Sequence, residues 1–75
     1  MISKREAQLK AIQDADYEMP SEWVRSDIKV MSCEFDESVS EWNVYVRIKF
    51  AHGDTAIFDC WISADGEVSS SWAAV

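Results

Sequence analysis

The sequence predicts an α+β fold: an N-terminal helix packed on a four-stranded antiparallel β-meander as a two-layer sandwich. Three observations carry that prediction. First, Trp42, Val44, Val46, Ile48 and Phe50 alternate with Glu41, Asn43, Tyr45, Arg47 and Lys49, the pattern of a strand with one wet face. Second, Ala56, Phe58, Cys60 and Ile62 keep the same even-numbered parity, and so do Val68, Ser70 and Trp72. Third, Ala51-His52-Gly53 and Ala64-Asp65-Gly66 each fit a three-residue hairpin loop whose last residue needs positive φ, which glycine supplies. Loops of that length pair Phe50 with Asp54 and Ser63 with Glu67. Ile48 then faces Ala56, Val46 faces Phe58, Ile62 faces Val68 and Phe58 faces Trp72. A two-residue loop would turn one strand's apolar set to solvent, so the register is strongly specified.

Taken in order, the elements form one small domain over residues 1–75, with a helix at about 4–17 and strands at about 27–35, 41–50, 54–63 and 67–73. Ser3-Lys4-Arg5-Glu6 is a capping box that starts the helix. Leu9, Ile12, Ala15 or Asp16, and Met19 mark a narrow buried stripe, and Pro20 sets the far limit. The charges run against the helix dipole: Lys4 and Arg5 lie at its positive end, Asp14, Asp16 and Glu18 at its negative end. Each misplaced charge costs about 0.3–1 kcal/mol, a screened effect that is either tolerated or kept for a partner. Pro20–Val24 is a connector compatible with a single helical turn, with Trp23 as a lid on one end of the core. In the first strand Ile28 and Val30 share one parity and Met31, Cys33 and Phe35 the other. That break predicts a bulge near Val30 to Ser32, or a strand covered on both faces. Residues 36–40 form a polar, acidic loop.

Ile62-Ser63-Ala64-Asp65-Gly66-Glu67-Val68 resembles the final hairpin of PepSY-type modules, and the whole plan is similar to that of PepSY-type and cystatin-type modules. The resemblance covers one turn and brings no functional residue with it.

Composition narrows the function classes. Fourteen acids against seven bases give a net charge of −7, which argues against direct nucleic-acid binding and against an anionic membrane surface, and for a basic partner. No apolar run approaches a membrane span, and the first residues lack the apolar core of a signal peptide, so a cytoplasmic protein is expected. On a meander Cys33 and Cys60 occupy the first and third strands, about 9.5 Å apart at twice the strand spacing. That is beyond disulfide reach, so both are expected to be buried free thiols.

The chemistry-bearing residues do not assemble into a catalytic set. His52 and Asp54 share a hairpin tip without a nucleophile beside them, and Ser69, Ser70 and Ser71 have no fixed base. Cys33, Cys60 and His52 lack zinc-ligand spacing, and Gly53 and Gly66 are isolated turn glycines rather than a phosphate loop. No enzyme activity, cofactor or metal is expected.

Two surfaces point to binding. On the odd-numbered face Arg47 is expected to face Ile57, Tyr45 to face Asp59 and Asn43 to face Trp61, with Ser69 and Ser71 bordering them. An exposed Trp61 with Ile57 and Tyr45 is more apolar than a wet face requires. It is covered by a second copy or by the N-terminal segment, it is a hot spot for a partner, or it is a few scattered exposed aromatics. The acids gather around two loops: Glu34, Asp36, Glu37 and Glu41 at one, Asp14, Asp16, Glu18 and Glu22 at the other. Such a charge run is most often a solvated face that keeps a small protein soluble, but carboxylates spread over a compact scaffold can also imitate a phosphate backbone. In size and charge the chain is similar to small acidic phage-borne inhibitors of nucleic-acid enzymes, anti-restriction and anti-CRISPR proteins among them, a resemblance of class without a shared motif. It implies a protein that occupies the basic surface of a nucleic-acid-handling partner through Tyr45, Arg47, Ile57, Asp59, Trp61, Glu34, Asp36 and Glu37. The alternative is a homo-oligomeric structural or accessory protein, such as a homodimer, that buries its aromatic face against itself. The small apolar tail Ala73-Ala74-Val75 would suit a protease adaptor or be a frayed end.

Overall fold

The computed structural model describes residues 1–73, so Ala74 and Val75 of the tail considered above lie outside the described residues. It has the expected α+β architecture. Helix α1 (Lys4–Glu18) is followed by strands β1 (Arg25–Asp36), β2 (Glu41–Phe50), β3 (Thr55–Ser63) and β4 (Val68–Ala73), which pair as an open antiparallel sheet in the order β1-β2-β3-β4.

The capping box forms as read: the Ser3 hydroxyl accepts from the Glu6 backbone N–H at 3.1 Å, and the Glu6 carboxylate accepts from the Ser3 N–H at 3.4 Å. The buried stripe differs from the expected one. Ala7, Ala11 and Ala15 are fully buried, Ile12 and Met19 are partly buried, and Leu9 is half exposed. Four-residue spacing keeps the three alanines on one face, where a side chain ending at Cβ lets the helix backbone lie close on the sheet. Leu9 lies about 200° around the helix from Ala7 and points away.

Both glycine hairpins close as three-residue loops. Phe50 N–H donates to Asp54 O at 2.9 Å and Ser63 N–H to Glu67 O at 2.8 Å, with Gly53 at φ 105° and Gly66 at φ 94°. Gly66 is doubly constrained, because a Cβ there would lie 2.9 Å from Lys10 Cε and 3.1 Å from Ile2 Cγ2. Ile48 faces Ala56, Val46 faces Phe58 and Ile62 faces Val68, as the loop lengths require. The parity break in β1 is a bulge: Val30 pairs with Val46 and Ser32 with Tyr45, which leaves Met31 as the extra residue and returns Cys33 and Phe35 to the covered face. A second irregularity separates Arg25 from Asp27.

β4 corrects the sequence reading. Ile62 pairs with Val68 but Trp61 pairs with Ser70, so Ser69 is an extra residue in a bulge. From there on every side chain changes face: Phe58 faces Ala73, and Trp72 faces Asp59 instead of Phe58. The covered core is therefore Val44, Val46, Ile48, Phe50, Phe58, Cys60 and Ile62 under the alanine stripe, with Trp42 and Cys33 at its margin.

The connector Pro20–Val24 is a turn rather than a helical turn, closed by Trp23 N–H donating to Pro20 O at 3.1 Å. Trp23 does cover one end of the core, edge-on to Phe50 at 5.3 Å between ring centroids. Arg25 holds this region together: Nε donates to Asp16 Oδ1 at 2.7 Å, Nη2 to the Asp16 and Met19 carbonyls, and Nη1 to the Pro20 and Trp23 carbonyls. The cation missing from the last turn of α1 thus arrives from β1.

Candidate functional site: the uncovered sheet face and the acidic loop

The face of the sheet opposite α1 carries no covering element among the described residues. Its side chains form rows across the strands, set by the register: Glu34-Asn43-Trp61-Ser70, then Ser32-Tyr45-Asp59-Trp72, then Lys29-Arg47-Ile57. Arg47 opposite Ile57, Tyr45 opposite Asp59 and Asn43 opposite Trp61 are as read from the sequence. The β4 border is corrected, because the Ser69 bulge brings Ser70 and Trp72 to this face where Ser69 and Ser71 were expected. Trp72 is 49% exposed there. Ser69 Oγ instead donates to Trp61 O at 3.2 Å, and Ser71 Oγ lies 3.5 Å from Cys60 Sγ on the covered side.

Asp59 is sunk rather than displayed, at 8% exposed. Its carboxylate accepts from the Asn43 amide at 2.5 Å, the satisfaction a buried carboxylate requires. Asp59's charge, helped by slight desolvation, pushes the Tyr45 hydroxyl pKa above its ordinary value. Arg47 reaches Asp27 at 3.2 Å, while its Nε is buried without a hydrogen-bond partner among the described residues. Tyr45, Arg47, Ile57 and Trp61 are half buried by one another, so this face is a tight mosaic and not a row of free side chains.

At one end of the face the acidic loop meets the aromatic row. Glu34, Phe35, Asp36, Glu37, Asn43 and Trp61 line a recess of about 280 Å³. The cross-strand row places Glu34 and Trp61 on either side of Asn43, and the loop after β1 brings Asp36 and Glu37 to the rim. Asp36 Oδ1 fixes the loop by accepting from Ser38 N–H at 3.0 Å and Ser38 Oγ at 2.6 Å, and Ser40 takes the positive φ of 54° that turns the chain into β2. Among the described residues Glu34, Asp36 and Glu37 enter no salt bridge. Five of the expected residues, Tyr45, Arg47, Ile57, Asp59 and Trp61, therefore share the uncovered face. Glu34, Asp36 and Glu37 join it through Trp61.

The remaining chemistry-bearing residues have structural partners. His52 Nε2 lies 3.1 Å from Asp54, and the ring stacks on Phe50 and meets Trp23 edge-on at 5.0 Å. Cys33 and Cys60 are free and buried on either side of Val44, with burial pushing both thiol pKa values up. Among the described residues no group of three or more His, Cys, Asp or Glu side chains is placed to hold a metal, and no helix is long and apolar enough to cross a membrane.

Arg25 is the organising residue that sequence reasoning missed. Its signal was available: it is the sole base between Lys10 and Lys29, in a stretch holding Asp14, Asp16, Glu18 and Glu22. No protein-family model, curated protein or solved structure matches the chain.

Proposed function

We propose that the protein is a small, non-enzymatic binding module that receives a basic protein surface on the acidic β1–β2 loop and the uncovered sheet face. The observation that carries this reading is the recess where Glu34, Asp36 and Glu37 meet Trp61 and Asn43. Carboxylates around an indole wall favour a Lys or Arg side chain, through charge-assisted hydrogen bonds and cation–π attraction together. The net charge of −7 steers such a partner in from a distance. Basic surfaces of this kind are what nucleic-acid-handling proteins present to phosphate. The module is then a cytoplasmic inhibitor that occupies the surface in place of nucleic acid, the mode of the anti-restriction and anti-CRISPR class.

Affinity capture from a lysate, run with the wild-type chain and with a Trp61→Ala, Glu34→Gln, Glu37→Gln variant as baits, tests the reading. A basic protein held by the first and lost by the second is the expected result, with association that weakens as salt rises. Equal capture by both baits would remove the recess from the account.

Trp72 favours one alternative. Its arrival beside Tyr45, Ile57 and Trp61 enlarges the aromatic surface and suits a homo-oligomeric role. Sedimentation separates the two readings: a dimer that dissociates on Trp72→Ala supports self-association, and a monomer leaves the face for another protein.

A further inference from the structure

A second concavity lies at the other end of β1 and takes no part in the site above. It is an open groove of about 690 Å³ between the last turn of α1 and the start of β1, lined by Tyr17, Met19, Trp23 and Val24 together with the polar Asp16, Ser21 and Arg25. Three large side chains stand out into solvent there: Tyr17 is 86% exposed, Val24 is 67% exposed and Trp23 is more than one-third exposed. The backbone around the groove and the Trp23 ring are nonetheless fixed. Arg25 ties the Asp16, Met19, Pro20 and Trp23 carbonyls together, and Trp23 is braced against Phe50 and His52. A groove on a fixed backbone with exposed Tyr and Trp side chains is the setting in which interface anchors concentrate.

Charge selects the occupant. Arg25 is matched by Asp16 and by the four carbonyls, so its donors are committed to the fold. Glu18 and Glu22, in the segments that flank the groove, enter no salt bridge among the described residues. Tyr17, Met19, Trp23 and Val24 give the lining its apolar part, its two charged residues Asp16 and Arg25 are paired with each other, and the unpaired charge beside it is negative.

We propose that this groove is a second docking site, which takes a short extended segment of a partner protein carrying aliphatic side chains flanked by Lys or Arg. The aliphatic groups lie between Tyr17, Met19, Trp23 and Val24, and the basic groups meet Glu18 and Glu22. Because the nearby carbonyls are taken by Arg25, selection is by side chains rather than by backbone pairing. The run of β1 from Arg25 to Asp36 lies beside nine steps of β2, from Phe50 to Glu41, which at about 3.3 Å per residue sets the groove roughly 30 Å from the recess, at the opposite end of the strand.

The test is a nuclear magnetic resonance titration of the full ¹⁵N-labelled chain with the peptide acetyl-Lys-Leu-Leu-Arg-amide. Two controls, acetyl-Glu-Leu-Leu-Glu-amide and acetyl-Lys-Ser-Ser-Arg-amide, remove the basic and the aliphatic groups in turn. Saturable shifts of the Trp23 indole N–H and of the amides of residues 17–25 are expected, with both controls at least about tenfold weaker. Tyr17→Ala, at a position too exposed to unfold the chain, weakens binding about tenfold with the melting temperature unchanged. Trp61→Ala leaves the titration unaffected. No saturable shift at Trp23 with millimolar peptide, equal binding of either control, or full binding to the Tyr17→Ala chain would each overturn the proposal.

Discussion

Val44, Val46 and Ile48 look up from β2 into the alanine stripe of α1, while Asn43, Tyr45 and Arg47, interleaved with them, look down to a side with no covering layer among the described residues. The two faces belong to the same strands, yet they reach burial by different routes. On the covered face a helix lying close to the sheet excludes water, and what remains is aliphatic and aromatic. On the other face Asp59 is buried by its neighbours on the sheet, with the Asn43 amide as its partner. A carboxylate can be removed from water without a second layer, provided its neighbours on the sheet crowd it and one of them donates. The covered face therefore depends on volume, and the uncovered one on pairing.

The largest expected effect lies on the covered face. Phe58→Ala removes a buried ring between Val46 and Ala73 and should destabilise the fold by ~3–5 kcal/mol in urea unfolding, enough to leave a domain of this size largely unfolded. A native-like unfolding midpoint would show that volume matters less on that face than the comparison holds. Next comes the pair beneath it. Asp59→Ala leaves the Asn43 amide without its closest acceptor and should cost about 1–3 kcal/mol, with Asn43→Ala, Asp59→Ala recovering part of that loss. Additive effects would mean that the two do not act as a pair.

Alkaline unfolding compares the faces through their titrating groups. Burial raises the Cys33 and Cys60 thiol pKa values above the ordinary 9.0, and the charge of Asp59 raises the Tyr45 hydroxyl above the ordinary 10.0. In each case the unfolded chain loses its proton first. The stability from these groups is therefore fully present below the ordinary value and declines as pH rises through the raised one. Urea midpoints should be level up to about pH 8 and fall beyond about pH 9, with Cys60→Ala flattening the first part of the fall and Tyr45→Phe the later part. The same burial keeps both thiols slow toward alkylating reagents in the native state, which quenched labelling would measure. The smallest stability effect is expected from Trp61→Ala, within about 1 kcal/mol, although it should remove ~2 kcal/mol or more of partner affinity. If it unfolded the chain, the uncovered face would be a second core instead of a surface.

How much of this was legible in the sequence varies from element to element. Strand β2 and its hairpin partners were, because strict alternation and two turn glycines leave one register that buries every even-numbered side chain. The β1 bulge was also legible, since a run of apolar residues changed parity inside it. The β4 bulge was not: Ser69, Ser70 and Ser71 are identical, so an extra residue among them changes no pattern. The helix stripe was legible at Ile12, Ala15 and Met19 but not at Leu9, Ala7 and Ala11, because Leu9 outweighs alanine on any apolar scale, whereas the packing face was decided by how near the backbone had to come. The pairs Arg47–Ile57, Tyr45–Asp59 and Asn43–Trp61 followed from register alone. The burial of Asp59 depends on how neighbouring side chains lean over it, which spacing does not encode. The recess joining the acidic loop to Trp61 needed both the register and the turn of the chain at Ser40.

The bulge in β4 also bears on how long this chain has to be. Ser69 is the one residue between Val68 and Ala73 without a partner of its own on β3, so shortening the serine run by one leaves Ile62–Val68 and Trp61–Ser70 as consecutive pairs. Because the three serines are interchangeable, loss of any one gives the same shortened chain. Trp72 would remain opposite Asp59 in a straight strand. The sheet therefore contains a position where length can change by one residue with every cross-strand neighbour kept, whereas a deletion inside β2 or β3 would exchange the two faces beyond it.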